Sequence, residues 1–399
     1  MQARRDQNLL RLPLPSNGVL LHVSRPIPGA PETLQFLSDN NIPFILLTNG
    51  GGKHELDRVK NLSDELGVHL TTDNFVQSHT PFQELLDGPD GLREKTVLVT
   101  GSDYNRCRNI FQAYGFRRVV TVGDIFNADK SIFPFSPPNF EGSGGPCPLP
   151  APLYQPPERT HSDTSLPITS TLKIDAIFVL NDPRDWALDL QVITDILLSH
   201  RGYVGTYSPL NNNPSLPNNG WQQDGQPPIY FSNSDLLWAA RYHLPRLGQG
   251  AFQAALEGLW RRITGGAELQ NVTRYGKPFA NTYRYAEGVL ADHRAETLRK
   301  MGIKLVDECG EGECGKKGHP PLKRVYMVGD NPESDIAGAN SYASKEGTEW
   351  VSVLVRTGVW KPEMGRKLDG VHKPKQIVKD VREGVRWALE KEGWKGKEL

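Results

Sequence analysis

The sequence predicts an α/β fold built on a parallel sheet, and three features predict it. Between residues 29 and 135, short apolar runs alternate with helix-like stretches, the cadence of βαβ units. Leu46-Leu47-Thr48-Asn49-Gly50-Gly51-Gly52 reads as a strand ending in a hydroxyl residue and three glycines before a helix. Val325-Tyr326-Met327-Val328-Gly329-Asp330 is a second apolar strand, ending in a carboxylate with Asp335 five residues on. Ligands of open α/β sheets bind at the carboxyl ends of strands, so chemistry is expected at these two strand ends.

Along the chain, Pro31 to Asn40 reads as a helix, Phe44 to Leu47 as a buried strand, and Glu55 to Leu66 as a helix closed by Gly67. Thr96 to Thr100 is the next strand. From Phe133 to Thr171 the chain turns rich in Pro, Gly and Ser and predicts a disordered insertion. Asp175 to Leu180 then reads as a strand, Trp186 to His200 as a helix, Ile229 to Phe231 as a short strand and Phe252 to Thr264 as a helix. Pro278 opens a helix running to about Val289, and another begins near Ser334. Lys304 to Leu322 is a Gly-rich, charged loop or hairpin, and Gln376 to Glu392 has helical periodicity, with Val378, Val381, Val385 and Ala388 on one face.

Composition narrows the function classes. Lys plus Arg equals Asp plus Glu, 46 against 46 in 399 residues, so no global field favours nucleic acid or an anionic surface, and an anion site must be local. No apolar run approaches the roughly 18 residues of a membrane span, and no secretory h-region follows Met1. Four cysteines, Cys107, Cys147, Cys309 and Cys314, are too few for a disulfide scaffold and fit a reducing compartment. Cys309 and Cys314 lack a second ligand pair and read as part of a loop. The sequons at Asn61 and Asn271 read as incidental.

Three turns leading into helices carry residues suited to phosphate chemistry. Thr48 and the bare amides of the glycine run can hold a phosphoryl oxygen. Lys277, in Tyr275-Gly276-Lys277-Pro278, puts a fixed ammonium where it can neutralise a phosphate and a nucleophile together. Asp330 and Asp335 offer the hard oxygens Mg²⁺ prefers. Each has a plain alternative: a tight turn, an exposed lysine, or Asp330 and Asp335 capping the next helix. Their common placement at turns into helices favours one shared site.

With these residues in order, the chain resembles the haloacid-dehalogenase-like hydrolase superfamily, subfamily IIA, and within it the eukaryotic cat-eye-syndrome-candidate-5-like group. Gly18-Val19-Leu20-Leu21, Pro26 to Ala30, Thr48 to Gly52, Tyr275 to Pro278, Gly329 to Asp335 and Ser352 to Gly358 follow that group's pattern. The resemblance implies a Rossmann-like parallel-sheet core, residues 18–91 and 271–399, with an inserted α/β cap at 92–270 that contains the insertion at about 134–171. It implies Mg²⁺-dependent hydrolysis of a small phosphorylated substrate through an aspartyl-phosphate. Thr48 and Lys277 take catalytic positions, and Asn49, Gly50, Gly51, Asn233 and Asp235 take substrate-binding ones. Asp330, Asp335 and the backbone carbonyl of Asn17 are the implied metal ligands. Ser232-Asn233-Ser234-Asp235 matches a cap segment that usually reads Asn-Pro-Asp, with Ser234 departing from it. The group also implies a mitochondrial location, the cytoplasm being the alternative, and a link to glycerophospholipid metabolism; a homodimer is the assembly left open.

The first motif breaks this pattern. The family's first strand ends in Asp-x-Asp-Gly, where one Asp attacks phosphorus and the other carries the proton. Here Pro15 and Asn17 precede Gly18, so the nucleophile and the acid/base are both missing and metal binding is weakened. Ser16 is expected to face away from the site. Leu12-Pro13-Leu14-Pro15 reads as a poor central strand, because proline removes ladder donors. Two accounts remain: a non-catalytic, phospho-ligand-binding or scaffolding member, or a gene model whose first 17 or so residues replaced a true upstream exon. The abrupt change at Gly18 favours the second.

Overall fold

The computed structural model describes residues 11–22, 24–135, 145–156, 166–238, 242–302, 322–362 and 367–399. The chain divides into two compact units, the first made of residues 1–49, 54–81 and 275–399, the second of 50–53 and 82–274.

The chain enters the first unit through β1 (Leu12–Leu14), followed by a small antiparallel pair, β2 (Leu21–His22) and β3 (Arg25–Pro26). Helix α1 (Ala30–Asp39) leads to β4 (Phe44–Leu47), and α2 (Glu55–Leu66) to β5 (Phe75–Val76). Gly67 ends α2 with φ of 64°, in the left-handed region where a side chain is strained. β1 pairs in parallel with β4, and β4 with β5. β1 is thus a sheet strand despite its prolines, contrary to expectation. Leu12 N–H donates to Pro43 C=O on the β4 side, whereas Pro13 and Pro15, one strand period apart, withhold donors on the opposite side only.

The second unit carries β6 (Thr96–Thr100), α3 (Tyr104–Tyr114), β7 (Arg118–Thr121), α4 (Val122–Ala128), β8 (Ala176–Val179), α5 (Trp186–Leu198) and β9 (Ile229–Phe231). A hairpin of β10 (Leu237–Trp238) and β11 (Arg246–Leu247), then α6 (Gln249–Ile263) and β12 (Val272–Arg274), complete it. Its sheet is all parallel, in the order β12-β9-β8-β6-β7. The unit begins at residue 82 rather than 92, because Phe82 stacks into the Phe111, Phe116 and Phe178 cluster. It extends to 274 rather than 270, because β12 is an edge strand of its sheet.

Part of the expected disordered insertion is built into this unit. Cys147 N–H donates to Asp124 at 2.7 Å, Leu172 N–H to Pro152 C=O at 2.8 Å, and Leu149 and Leu153 pack on the core. The expectation fails for 145–156 because those leucines supply the apolar anchors that its Pro and Gly content concealed.

Back in the first unit, α7 (Ala280–Lys300) runs well past the expected end at Val289, since Leu290, Ala295 and Leu298 keep its buried stripe going. Then come β13 (Arg324–Gly329), α8 (Ala337–Ser341), β14 (Glu349–Val355), β15 (Gln376–Val378) and α9 (Val381–Lys391). β13-β14-β15 form a second parallel set, which meets β1 where Tyr326 N–H donates to Arg11 C=O at 2.8 Å. The C-terminal periodic stretch is therefore a strand and a shorter helix, divided by the Asp380 cap, whose carboxylate accepts from Glu383 N–H. The helix expected near Ser334 starts as a wide turn at Pro332–Ile336 capped by Asn331. The loop expected over Lys304 to Leu322, with Cys309 and Cys314, lies outside the described residues except for Leu322.

Candidate functional site

The ends of β4 and β13 bring the predicted residues of the first unit together. Lys277 follows Gly276, whose φ of 80° turns the chain, and its ammonium lies 2.7 Å from Asp335 Oδ1 and 3.0 Å from Leu47 C=O. Both side chains of this pair are almost wholly buried. Asn49, one residue beyond Thr48, clamps the lysine's main chain: its Oδ1 accepts from Lys277 N–H at 2.7 Å and its Nδ2 donates to Lys277 C=O at 2.9 Å. Thr48 is buried, and its N–H donates to Val76 C=O.

Asp335 is committed within the protein. Its Oδ1 takes Lys277, and its Oδ2 accepts the N–H groups of Asp330 and Asn331 at 3.0 and 3.1 Å. It therefore fixes the turn after β13 and holds the lysine, rather than capping α8. A side chain at position 329 would strike it, since a Cβ on Gly329 would lie 2.3 Å from the Asp335 Cβ.

Asp330 sits in a slot between two glycines. A Cβ on Gly18 would come within 2.2 Å of its Oδ2, and one on Gly358 within 2.0 Å. Its Oδ2 accepts from Val359 N–H at 2.8 Å, and Thr357 Oγ1 donates to Gly18 C=O at 2.6 Å, tying the loop after β14 to the turn after β1. Burial first, and the nearby Asp335 second, push the Asp330 carboxyl up to about 7. Thr357 and Gly358 stand out in the sequence only as matching a pattern, and Val359 does not; a glycine and a hydroxyl after a buried strand were the available signal for this contact.

Among the described residues upstream of Gly18, no carboxylate stands. Pro15 is buried, Ser16 is buried with its hydroxyl lacking a hydrogen-bond partner, and Asn17 is exposed. Ser16 C=O accepts from both Leu20 and Leu21 N–H, so the chain turns directly after β1. Among the described residues, no group of three or more His, Cys, Asp or Glu side chains is placed to hold a metal ion.

Gly50 and Gly51 are exposed and group with the second unit, where the neighbouring Gly52 lies against Asn181. In that unit Asn233 Oδ1 accepts from Asp235 N–H at 2.8 Å, and Asn233 is held by Gln249 and Gln253. Ser234 Oγ is buried without a hydrogen-bond partner, as expected where a hydroxyl occupies a place suited to proline.

A parallel α/β core that gathers a buried lysine and two aspartates around the ends of β4 and β13, with a second parallel α/β unit inserted in the chain, defines the class. The chain belongs to the haloacid dehalogenase-like hydrolases. Residues 16–117 match a family model described as haloacid dehalogenase-like hydrolase, and residues 274–384 a second described as HAD-hydrolase-like. A mitochondrial hydrolase of Saccharomyces cerevisiae is 37% identical over 94% of this chain and 94% of its own length. A cardiolipin synthase (CMP-forming)/mitochondrial hydrolase fusion protein of Schizosaccharomyces pombe is 39% identical over 94% of this chain, which spans 52% of that protein. In fold, the chain is similar to a hypothetical protein from Pyrococcus horikoshii, with TM-score 0.53 and 16% identity, covering 95% of this chain and 99% of that one. It is also similar to a glycerol phosphate phosphatase from Mycobacterium tuberculosis solved with magnesium, with TM-score 0.51 and 17% identity, covering 95% and 77%.

Proposed function

We propose that this chain is a haloacid dehalogenase-like phosphohydrolase scaffold that retains the phosphate-binding half of its site and lacks the attacking half. The observation that carries this reading is the turn after β1. Gly18 packs against Asp330 as an active-site turn would, yet Pro15 and Asn17 bring no carboxylate to it. Proline has no nucleophile, and a neutral carboxamide cannot exchange a proton at neutral pH. Thr48 and the Lys277 ammonium remain to bind a phosphoryl group, and Asn49 and Asp335 hold that lysine in position.

The family implies Mg²⁺, and a glycerol phosphate phosphatase of similar fold has been solved with magnesium. Mg²⁺ demands a near-octahedral set of oxygens. Here Asp330 and the main chain near Asn17 are the available protein donors, because Asp335 has both oxygens engaged by the lysine and two amides. That set does not fit a tight magnesium site, and hydrolysis by the family route is not supported for the chain as written. The ligand class is a small phosphate ester. The names of the two yeast relatives support a mitochondrial setting and a link to glycerophospholipid metabolism.

The test is turnover of an aryl phosphate with added Mg²⁺. The chain as written is expected to show almost none, and Pro15→Asp with Asn17→Asp is expected to gain it. Robust activity without those substitutions overturns the reading of Pro15. A restored variant that folds and binds Mg²⁺ but turns over no member of a broad phosphate-ester panel favours ligand binding as the function of the whole lineage.

A further inference from the structure

Between α4 and α5 the second unit holds a cavity of about 420 Å³, a size at which proteins bind small molecules. Its floor is apolar: Ile125 of α4, Val192 of α5 and Val204 are buried, and Leu153 packs on the same core. Main-chain bonds fix one wall. Tyr154 N–H donates to Val204 C=O at 3.2 Å, Val204 N–H to Leu172 C=O at 2.9 Å, and Leu172 N–H to Pro152 C=O at 2.8 Å. Leu172 precedes β8, so this wall stands at the amino ends of the parallel strands. Asn233 and Asp235 follow β9 and stand at the carboxyl ends. The cavity is therefore apart from the segment that the family pattern assigns to substrate.

Among the described residues, every charged side chain that lines the cavity is acidic: Asp129, which closes α4, and Asp195 on α5. Neutral donors hold Asp129 in place. Ser131 gives its Oδ1 an N–H at 2.9 Å and a hydroxyl at 2.6 Å, and Gln155 Nε2 reaches Oδ2 at 3.2 Å. Asp195 Oδ1 accepts from Gln191 Nε2 at 2.8 Å, about one helical turn back, and no cation among the described residues pairs with its carboxylate. Burial raises the Asp195 carboxyl above the usual carboxylate range, the mark of a charge short of solvation. Two negative charges above an apolar floor repel an anion, and a neutral apolar ligand would leave Asp195 without a counter-charge. A bare metal ion does not fit either, because no group of three or more His, Cys, Asp or Glu side chains is gathered here. Tyr154 and Tyr207 add to the lining aromatic rings, which attract cations.

We infer that this cavity is a second ligand site, for an organic ammonium ion with a compact apolar body. The ammonium is placed by the Asp195 and Asp129 carboxylates, and the body covers Ile125, Val192 and Val204. Each half of such a ligand meets its own kind of surface: charge meets charge in a partly dehydrated setting, and hydrocarbon leaves water.

The experiment is isothermal titration calorimetry of the full chain with hexylammonium, hexanol and hexanoate, which share an apolar body and differ in charge. Hexylammonium is expected to bind saturably, hexanol several-fold more weakly and hexanoate not measurably. Asp195→Asn keeps the acceptor for Gln191 and should weaken hexylammonium about tenfold or more, to the level of hexanol. Asp64→Asn, at an exposed site on α2 of the first unit, should change nothing. Circular dichroism checks that the variants fold. Absence of saturable hexylammonium binding overturns the inference. So does equal binding of hexanol, or a folded Asp195→Asn variant that binds hexylammonium as before.

Discussion

Lys277 and Asp335 are a charge pair taken out of water, and removing one partner of such a pair is costly because the other charge stays behind. Lys277→Met is therefore expected to destabilise the first unit by about 3–5 kcal/mol in urea unfolding. Lys277→Met combined with Asp335→Asn should recover part of that loss, since the carboxamide oxygen can still accept from the amides of residues 330 and 331. A double variant no better than the single would mean that the ammonium's bond to Leu47 C=O, not the ion pair, holds the turn. At this scale the sequence was informative about which residues matter and less so about their duties. Thr48, Lys277 and Asp330 could be picked out because hydroxyl, ammonium and carboxylate each fall at a turn leading into a helix. That Asn49 grips the lysine's main chain, and that Asp335 has both oxygens engaged, depends on contacts across 228 and 58 residues. No local pattern encodes such contacts.

Strands and helices were legible wherever apolar period and a terminal signal agreed. β4, α2 with its Gly67 stop and β6 stand where the pattern puts them. Two of the failures share one cause, a strong local signal outvoted by a tertiary partner, and the third is a local cap that periodicity overrode. Prolines argued against β1, yet both face the same neighbour and leave the pairing with β4 intact. Periodicity merged β15 with α9, although Asp380 divides them. The Pro- and Gly-rich stretch at 145–156 concealed two leucines that dock on a core. For β1 this account makes a prediction. Tyr326 N–H already donates to Arg11 C=O, and the next donor of a regular parallel ladder on that side belongs to residue 13. Pro13→Val should supply it and raise stability by about 1 kcal/mol in chemical denaturation. An unchanged or lowered midpoint would show that proline's restriction of the unfolded chain outweighs the missing bond.

The whole molecule is expected to respond to pH through buried groups that pull in opposite directions. His79, wholly buried in the first unit, is held down to about 4 from an ordinary 6.5, chiefly by burial. Folding therefore disfavours its protonated form. Above pH 6.5 neither state binds this proton and nothing is lost, while between 6.5 and about 4 this histidine costs the first unit about 1.4 kcal/mol per pH unit, which the Asp330 carboxyl, raised to about 7 in the same unit, offsets. Asp189 in the second unit is pushed the other way, up to about 8 from 3.8, again chiefly by burial. Thr100 and Tyr104 donate to its Oδ1, and its buried Oδ2 has no hydrogen-bond partner. Its contribution is complete below pH 3.8 and falls as pH rises toward 8, because the unfolded chain gives up the proton that the folded one keeps. With His79 and Asp330 opposed, the first unit should respond weakly between about pH 4 and 6.5, whereas the second should loosen as pH rises, read by which fragments a nonspecific protease releases at each pH. Asp189→Asn keeps an acceptor for Thr100 and Tyr104 and replaces the orphaned oxygen with an uncharged amide, so it should flatten the response of the second unit and leave the first as it was. His79→Gln should leave Asp330 unopposed, so that the first unit also loses stability as pH rises toward 7. If either substitution alters the pH response of both units, the two do not unfold independently.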